Sequence, residues 1–224
     1  MRNKIKLRWF FAFLLLGSMA IYWLPDFLSR PVNHIKINAQ YKHIQPQEIQ
    51  QVVIPLINKG FFTVNVAKIQ AEVKKLSWVS GVGVRRIWPD TILITIKEHR
   101  ALARWKAGGV FDQDGELFHP DMTNLPQDLP VLEGPETLSK KIFEGLQQVE
   151  PYFAKNNLAI KSILVSDRGS WTIKLNSNTD IVLGKENHLE RVDRLMSAWS
   201  TINKKHKTPI KRIDLRYPNG FAVR

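Results

Sequence analysis

Residues 78 to 98, Trp-Val-Ser-Gly-Val-Gly-Val-Arg-Arg-Ile-Trp-Pro-Asp-Thr-Ile-Leu-Ile-Thr-Ile-Lys-Glu, contain the clearest fold signal in the chain. On both sides of Pro89-Asp90, apolar residues alternate with other side chains: Val82, Val84, Ile92, Ile94 and Ile96. A period of two is typical of β-strands, and a Pro-Asp pair is typical of a turn. The stretch therefore predicts two antiparallel strands joined by a tight connection.

Two helical patterns and one strand pattern precede this hairpin. Gln45-Pro46 places a proline in the first turn of a helix, and Asn65 is a predicted N-cap of a second helix. The apolar positions of the two helices recur at steps of three and four: Ile49, Val52, Val53 and Leu56, then Val66, Ile69, Val73 and Leu76. Val32, Ile35 and Ile37 predict a strand before them. Residues 31 to about 98 thus predict the order strand, helix, helix, strand, strand.

After Ala101 the pattern changes to short strands and turns, with two longer helices. Asp112 to Gly115 predicts a hairpin turn, and four prolines predict an irregular stretch from Pro120 to Pro135. An apolar stripe predicts a helix from Leu138 to Phe153, kinked or split at Pro151.

The last third of the chain predicts strands on both sides of the second long helix. Three strands are predicted at 160 to 165, 171 to 175 and 181 to 183, followed by a helix whose apolar face runs from Leu189 to Ile202. Two final strands, at 211 to 216 and 221 to 224, flank a turn at Pro218-Asn219-Gly220.

The N-terminal thirty residues have the pattern of a membrane anchor. Four cations precede an uncharged, mostly apolar run from Trp9 to Leu24, which Phe27 and Leu28 extend. Sixteen helical residues span about 24 Å of the roughly 30 Å hydrocarbon core, and arginines at both ends can reach the headgroups. Because cations concentrate on the cytoplasmic side, residues 1 to 8 are predicted to stay in the cytoplasm and 9 to 28 to cross the membrane.

A cleaved secretory signal peptide is the alternative interpretation of this segment. Ser18-Met19-Ala20 provides small residues suited to a peptidase site. The apolar run continues through Ile21 to Leu24, however, and its Tyr-Trp pair suits a membrane interface, which favours the uncleaved anchor.

Composition narrows the functional classes. The chain has no cysteine, which excludes disulfides, thiol nucleophiles and thiolate metal sites. Its 33 basic and 20 acidic side chains give a net charge of +13, which suits either nucleic acid or anionic lipid headgroups. The densest basic group, from Lys204 to Arg212, has no interleaved aromatic residues, and the predicted location lies outside the cytoplasm. No nucleic-acid partner is therefore predicted.

No catalytic or metal-binding motif is found. The sequence has no phosphate-binding glycine loop, no Gly-x-Ser-x-Gly and no His-Glu-x-x-His, and its six histidines do not follow metal-ligand spacing. Asp112 to Gly115 begins like a calcium loop but lacks the third ligand and the terminal glutamate. We predict a non-enzymatic protein without metal or cofactor, which recognises partners by adding a strand to an exposed sheet edge such as the C-terminal hairpin.

Several motifs in order resemble the FtsQ/DivIB family of bacterial cell-division proteins. The first is residues 78 to 90, followed by an apolar strand and the group Ala101, Ala103 and Trp105. The others are a Phe-Asp-x-x-Gly-x-x-Phe hairpin at 111 to 118, a Leu-Pro-x-Leu-x-Gly-Pro stretch at 129 to 135, and Ile-Asp-Leu-Arg-Tyr-x-x-Gly at 213 to 220. The resemblance covers nearly the whole chain.

The resemblance implies an α+β protein with an N-terminal transmembrane helix and two further domains. Residues 32 to 99 would form a POTRA domain of order β-α-α-β-β, and residues 100 to 224 the family's β domain, a mixed sheet with flanking helices. It also implies a single-pass, type II inner-membrane scaffold at the division septum, with its C-terminal domains in the periplasm. The β domain would bind FtsB and FtsL, and the POTRA domain would contact FtsK and other division proteins.

The resemblance also transfers a partner-binding edge to this chain. Its residues here are Arg168, Arg216, Tyr217, Asn219, Gly220 and Phe221. Two of them have structural alternatives, because Gly220 could serve a positive φ angle and Tyr217 could pack on the sheet. A POTRA-containing factor for outer-membrane protein assembly or secretion is the alternative function, although the sequence shows neither repeated POTRA units nor a long barrel pattern.

Overall fold

A computed structural model of the protein describes residues 30–58, 60–122, 125–205 and 208–224. The described chain divides into two compact units, on either side of the bond between His99 and Arg100. The predicted cytoplasmic tip at 1 to 8 and the predicted span at 9 to 28 lie outside the described residues. Among the residues that are described, no helix is long and apolar enough to cross a membrane.

The first unit has the predicted order of elements. Its strands and helices are β1 (His34–Asn38), α1 (Pro46–Val53) with a 3₁₀ turn at Ile54–Leu56, α2 (Val66–Val73), β2 (Val79–Ile87) and β3 (Thr91–Glu98). The sheet order is β1-β3-β2, with β1 parallel and β2 antiparallel to β3. The predicted hairpin and the β-α-α-β-β order are confirmed.

Local sequence signals explain both helices of this unit. Pro46 lies at the start of α1, and the Asn65 side chain accepts a hydrogen bond of 3.0 Å from the Lys68 amide at the start of α2. Each helix buries two of the four apolar residues in its predicted stripe, Ile49 and Val53, then Ile69 and Val73, while Val52 and Val66 are partly buried. Helix α2 ends before Leu76, so the fourth residue of that stripe lies beyond the helix.

The second unit is built on one nine-stranded sheet. Its strands are β4 (Ala101–Trp105), β5 (Val110–Asp112), β6 (Leu117–Phe118), β7 (Val131–Glu133), β8 (Ile160–Val165), β9 (Trp171–Leu175), β10 (Asp180–Gly184), β11 (Arg212–Asp214) and β12 (Ala222–Val223). Two helices, α3 (Ser139–Ala154) and α4 (His188–Lys205), are inserted between strands. The sheet order is β12-β11-β10-β9-β8-β7-β4-β5-β6. Because β10–β11, β7–β8 and β4–β7 are parallel and the other pairs antiparallel, the sheet is mixed, as predicted.

The core of this unit lies on one face of the sheet. A row of paired residues crosses five neighbouring strands on that face: Ile163, Ile173, Ile181, Ile213 and Val223. The four isoleucines are fully buried, and Val223 is partly buried against the same cluster. Apolar residues of α3 and α4 belong to this cluster, including Leu146 and Leu195. The opposite face of the same strands carries charged side chains such as Lys174 and Asp180, which form an ion pair of 3.6 Å.

One prediction about this unit is wrong, and a second is contradicted for one of its two alternatives, the splitting of a helix at Pro151. The stretch between the prolines contains the strand β7, whose Leu132 is fully buried and whose parallel neighbours are β4 and β8. Helix α3 also continues through Pro151 without being split. Pro151 lies three residues before the last helical residue, so its missing N–H removes a single hydrogen bond in the final turns.

The C-terminal strands are shorter than predicted. Strand β11 ends at Asp214 rather than at residue 216, and β12 covers only Ala222 and Val223. Leu189, predicted on the apolar face of the last helix, is exposed at the start of α4.

Candidate partner-binding edge

Strand β12 is the last strand at one end of the nine-stranded sheet. It pairs antiparallel with β11, with Ile213 opposite Val223 and Asp214 opposite Ala222. Arg224 continues this pairing, since its amide donates to the Arg212 carbonyl at 2.9 Å and its carbonyl accepts from the Arg212 amide at 3.0 Å. Among the described residues, β12 has a strand neighbour on one side only.

The ladder pattern fixes the direction of the Val223 main chain. In an antiparallel pair, residues that exchange both hydrogen bonds alternate with residues that exchange none. Because Arg224 exchanges both with Arg212, the N–H and C=O of Val223 point away from β11, toward the free edge. Its side chain contacts the core. The edge therefore offers a main-chain donor and acceptor to an added strand, as in β-augmentation.

A guanidinium–carboxylate pair lies just beyond the end of β11. The Arg216 Nε donates to both carboxylate oxygens of Asp214, at 2.9 and 3.0 Å, and a terminal nitrogen donates to Oδ2 at 2.6 Å. The Arg216 amide also donates to the same carboxylate at 3.1 Å. These hydrogen bonds lower the pKa of Asp214 and raise the pKa of Arg216, so both groups are charged at neutral pH.

The connection between β11 and β12 is attached to helix α4 through Arg194. Its guanidinium donates to the Pro218 carbonyl at 2.5 Å and to the Tyr217 carbonyl at 3.1 Å. One turn earlier on the helix, the Arg191 guanidinium donates to the Leu183 carbonyl at the end of β10. Two arginines three residues apart thus hold this end of the sheet against the helix.

A cleft of about 210 Å³ lies on the polar side of this edge. It is lined by Arg212, Asp214, Arg216, Tyr217, Ala222 and Arg224. Its lining includes three arginines and one acidic side chain, that of Asp214, which is already paired with Arg216. This donor set suits an acidic or carbonyl-rich peptide and does not suit a metal cation, which needs several oxygen ligands.

The structure brings most of the predicted site residues together, in positions that differ from those expected. Arg216 and Tyr217 line the cleft, Asn219 and Gly220 belong to the adjoining turn, and Phe221 packs against the core beside β12. Tyr217, whose alternative role was packing on the sheet, lies in the connection after β11, because the strand ends at Asp214. It is 54% exposed, which argues against a packing role on the sheet.

Gly220 departs from one expectation, whereas Arg168 lies in the turn that the strand pattern predicted. Gly220 is not among the glycines with a positive φ angle, and a Cβ atom there would meet open space. Its alternative role as a positive-φ residue is therefore wrong. Arg168 lies in the turn between β8 and β9, at the same end of the sheet as the β11–β12 connection. About three strand spacings, roughly 14 Å, separate these two turns.

Sequence reasoning missed the charged residues that complete the cleft. Arg212 and Arg224 face each other across the last pair of strands, and Asp214 holds Arg216 in place. The alternation of Ile213 and Leu215 with charged residues indicated one polar face at this strand. The sequence contained no signal for the attachment by Arg194, because it depends on how α4 crosses the sheet.

Both units match models of known protein families. The family model "POTRA domain, FtsQ-type" matches residues 30–99, and the model "Cell division protein FtsQ/DivIB, C-terminal" matches residues 103–216. Similar curated proteins include the cell division protein FtsQ of Coxiella burnetii, 33% identical over 86% of this chain and 79% of that protein. Those of Burkholderia pseudomallei (30% identical, 94% and 86%) and Aliivibrio fischeri (32%, 91% and 79%) are also similar.

Proposed function

The chain belongs to the FtsQ/DivIB family of cell-division proteins, and from this premise we propose that it is a non-enzymatic scaffold of the division machinery at the septum. The combination of a POTRA domain with a mixed-sheet domain supports this proposal, because the sheet of each unit has an edge strand to which a partner could add a strand.

The proposed topology is that of a single-pass inner-membrane protein. Residues 1 to 8 would lie in the cytoplasm, 9 to 28 would cross the membrane, and the POTRA domain at 32 to 99 and the β domain at 100 to 224 would lie in the periplasm. The cation excess before Trp9 and the uncharged run that follows support this orientation.

The proposed partners of the β domain are FtsB and FtsL. The observation that carries this proposal is the open edge of β12, where the Val223 N–H and C=O point outward beside an arginine-lined cleft. A strand of FtsB would pair with β12, and Tyr217 would cover one of its side chains. The three arginines at the cleft favour acidic residues in that strand.

The POTRA domain is proposed to contact FtsK and other proteins of the division machinery. Its strand β2 lies at the edge of the sheet order β1-β3-β2 and would pair with a partner along the part of that edge not occupied by Gln70 and Lys74, whose side chains donate to the carbonyls of Val82 and Ser80. This second surface would let one molecule link partners that join the septum at different stages.

Affinity purification tests the proposed partners directly. The tagged full chain would be solubilised from membranes of its own bacterium, and co-purifying proteins identified by mass spectrometry. We expect FtsB and FtsL with the wild-type chain and with Tyr41→Ala, which removes an exposed tyrosine of the first unit. Tyr217→Ala should lose FtsB. Recovery of outer-membrane assembly proteins instead of FtsB and FtsL would contradict the proposal.

A further inference from the structure

Three aromatic side chains form a cluster at the tip of the hairpin between β2 and β3. Phe61 and Phe62 meet edge to face with ring centroids 5.2 Å apart, and Trp88 packs against them at 6.1 and 5.6 Å. We call these three residues, together with Ile87, the hairpin-tip cluster; Ile87 precedes Trp88 in the chain and lies on the sheet face opposite Arg86.

The cluster has a buried base and an exposed top. Phe61 is 1% exposed, whereas Trp88 is 60% exposed and Ile87 is 36% exposed. A tryptophan with this much accessible surface, supported from below by two phenylalanines, is an amphipathic surface feature rather than a core residue.

The backbone beneath the cluster is held in place by Arg86. Its Nε donates to the Phe61 carbonyl at 2.9 Å, and a terminal nitrogen donates to the carbonyls of Val64, at 2.6 Å, and Phe62, at 3.4 Å. The loop that carries both phenylalanines is thus attached to strand β2. The apolar top is therefore presented in a fixed orientation.

The cluster lies beside the point where the described chain begins. The Phe61 amide donates to the Arg30 carbonyl at 2.7 Å, and the Asn33 amide donates to the Asp90 carbonyl at 3.1 Å in the hairpin turn. The predicted membrane span ends at residue 28, and two residues reach at most about 7 Å. If the span is anchored there, the hairpin tip lies at the membrane surface.

The charges around the cluster are those of a membrane interface. Arg30 is exposed and its carbonyl accepts from the Phe61 amide, and Arg85 is exposed near the hairpin tip on the sheet face opposite Arg86. Among the described residues, the carboxylate at the tip is that of Asp90, which accepts hydrogen bonds from Asn33 at 2.9 Å and Thr91 at 3.2 Å. The Asn33 bond is the main reason why the pKa of Asp90 is lowered. Tryptophan flanked by arginines is the side-chain set enriched at the headgroup layer.

We propose that the hairpin-tip cluster inserts into the headgroup region of the membrane that anchors the chain, with Arg30 and Arg85 contacting anionic phospholipid. This proposal rests on the proposed membrane anchor at 9 to 28. The contact would make the first unit lie against the bilayer rather than turn freely on its short tether. A bilayer is favoured over a protein occupant because the tether brings the tip to the membrane whether or not a partner is present.

A fluorescent label next to Trp88 tests the insertion. Since the chain has no cysteine, Ile87→Cys and Tyr41→Cys each give one labelling site in the full-length protein. Tyr41 is a matched control, because it is 41% exposed and lies near the Glu98 end of the sheet, to which the amides of Lys42 and His43 donate. Strand β3 places that end about 23 Å from the hairpin turn.

The labelled chains would be reconstituted in nanodiscs of phosphatidylethanolamine and phosphatidylglycerol. We expect the label at 87 to shift its emission to the blue, to be quenched by headgroup-proximal spin-labelled lipid and to be shielded from iodide. The label at 41 should show no blue shift and no lipid quenching, and iodide should quench it fully. Adding Trp88→Ser to the Ile87→Cys chain should remove the lipid quenching, with circular dichroism as the folding control.

The outcomes separate this inference from the proposed anchor. A chain that enters nanodiscs while its label at 87 stays as open to iodide as the label at 41 overturns the inference alone. A label that is immersed equally with Ser at position 88 also overturns it. A chain that does not co-elute with nanodiscs overturns the anchor and the inference together.

Discussion

Strands β9 and β12 belong to the same sheet, and the same inward-facing row passes through Ile173 in one and Val223 in the other. β9 is hydrogen-bonded on both sides, and Ile173 is fully buried under the helices. β12 is two residues long, has one strand neighbour among the described residues, and leaves Val223 only partly buried.

This difference predicts that substitutions in the two strands have different effects. An interior strand contributes to stability through burial and through hydrogen bonds to a strand on each side. An edge strand has main-chain N–H and C=O groups on one side that are available to a partner strand. Substitutions in β9 should therefore act on folding. Substitutions in and beside β12 should act on partner binding and leave the fold nearly unchanged.

The largest expected effect is on stability, at the interior strand. Ile173→Ala removes a fully buried side chain and should lower the free energy of unfolding by about 2–5 kcal/mol. Val223→Ala, at the end of the same row, should cost about 1 kcal/mol or less because fewer buried methyl contacts are lost. Chemical denaturation of both variants measures this difference. Equal losses would show that the edge strand is as important to the core as β9.

The next largest effect concerns the exposed aromatic at the cleft. Tyr217→Ala should weaken FtsB binding by at least about tenfold, since roughly 2 kcal/mol is common for a tyrosine hot spot and 1.4 kcal/mol is one decade. Thermal unfolding should stay near that of the wild type, because the side chain is mostly exposed. A folded Tyr217→Ala protein with wild-type affinity would place the interface elsewhere.

A smaller effect is expected from loosening the connection behind the cleft. Arg194→Ala removes two hydrogen bonds to the carbonyls of Tyr217 and Pro218 and should weaken binding by about 1 kcal/mol, roughly fivefold. Amide exchange in residues 217 to 220 should accelerate in the unbound variant. Unchanged exchange would mean that Arg194 does not hold this turn.

The smallest expected effect is a pH dependence that originates away from the edge. Burial lowers the pKa of His188 at the start of α4, and the positive charges of Arg191 and Lys141 lower it further. The hydrogen bond between His188 and the Gly184 carbonyl opposes this shift. The unfolded chain therefore takes up this proton first, so stability should fall as the pH drops below about 6.5. His188→Gln should make unfolding less sensitive between pH 7 and 5. An unchanged pH profile would exclude this histidine as the cause.

Short-range sequence patterns predicted the first hairpin, the capped helix and the two long helices. The alternation around Pro89-Asp90, the Asn65 cap and the apolar stripes of the two long helices all correspond to observed strands and helices. β7 was missed because its flanking prolines suggest a loop, while its stability comes from two parallel neighbours far away in sequence.

The edge itself was predicted only in part, for a similar reason. Ile213 and the terminal turn indicated a hairpin, and the family resemblance indicated which residues to expect there. The arginine-lined cleft depends on the pairing of Arg212 with Arg224 and on the position of α4, which sequence patterns do not encode. Exposure of Tyr217 likewise follows from the early end of β11 at Asp214.

The most direct test of strand addition is to remove the outward-pointing donor of β12. Val223→Pro deletes an N–H that points to the free edge and leaves the hydrogen bonds to β11 in place, while Val223→Ala keeps that N–H as the matched control. Binding of purified chains to FtsB would be measured by titration calorimetry, with circular dichroism to confirm folding. We predict a loss of at least about tenfold for Val223→Pro and near wild-type affinity for Val223→Ala. A folded Val223→Pro protein that binds FtsB as tightly as Val223→Ala would contradict strand addition at this edge.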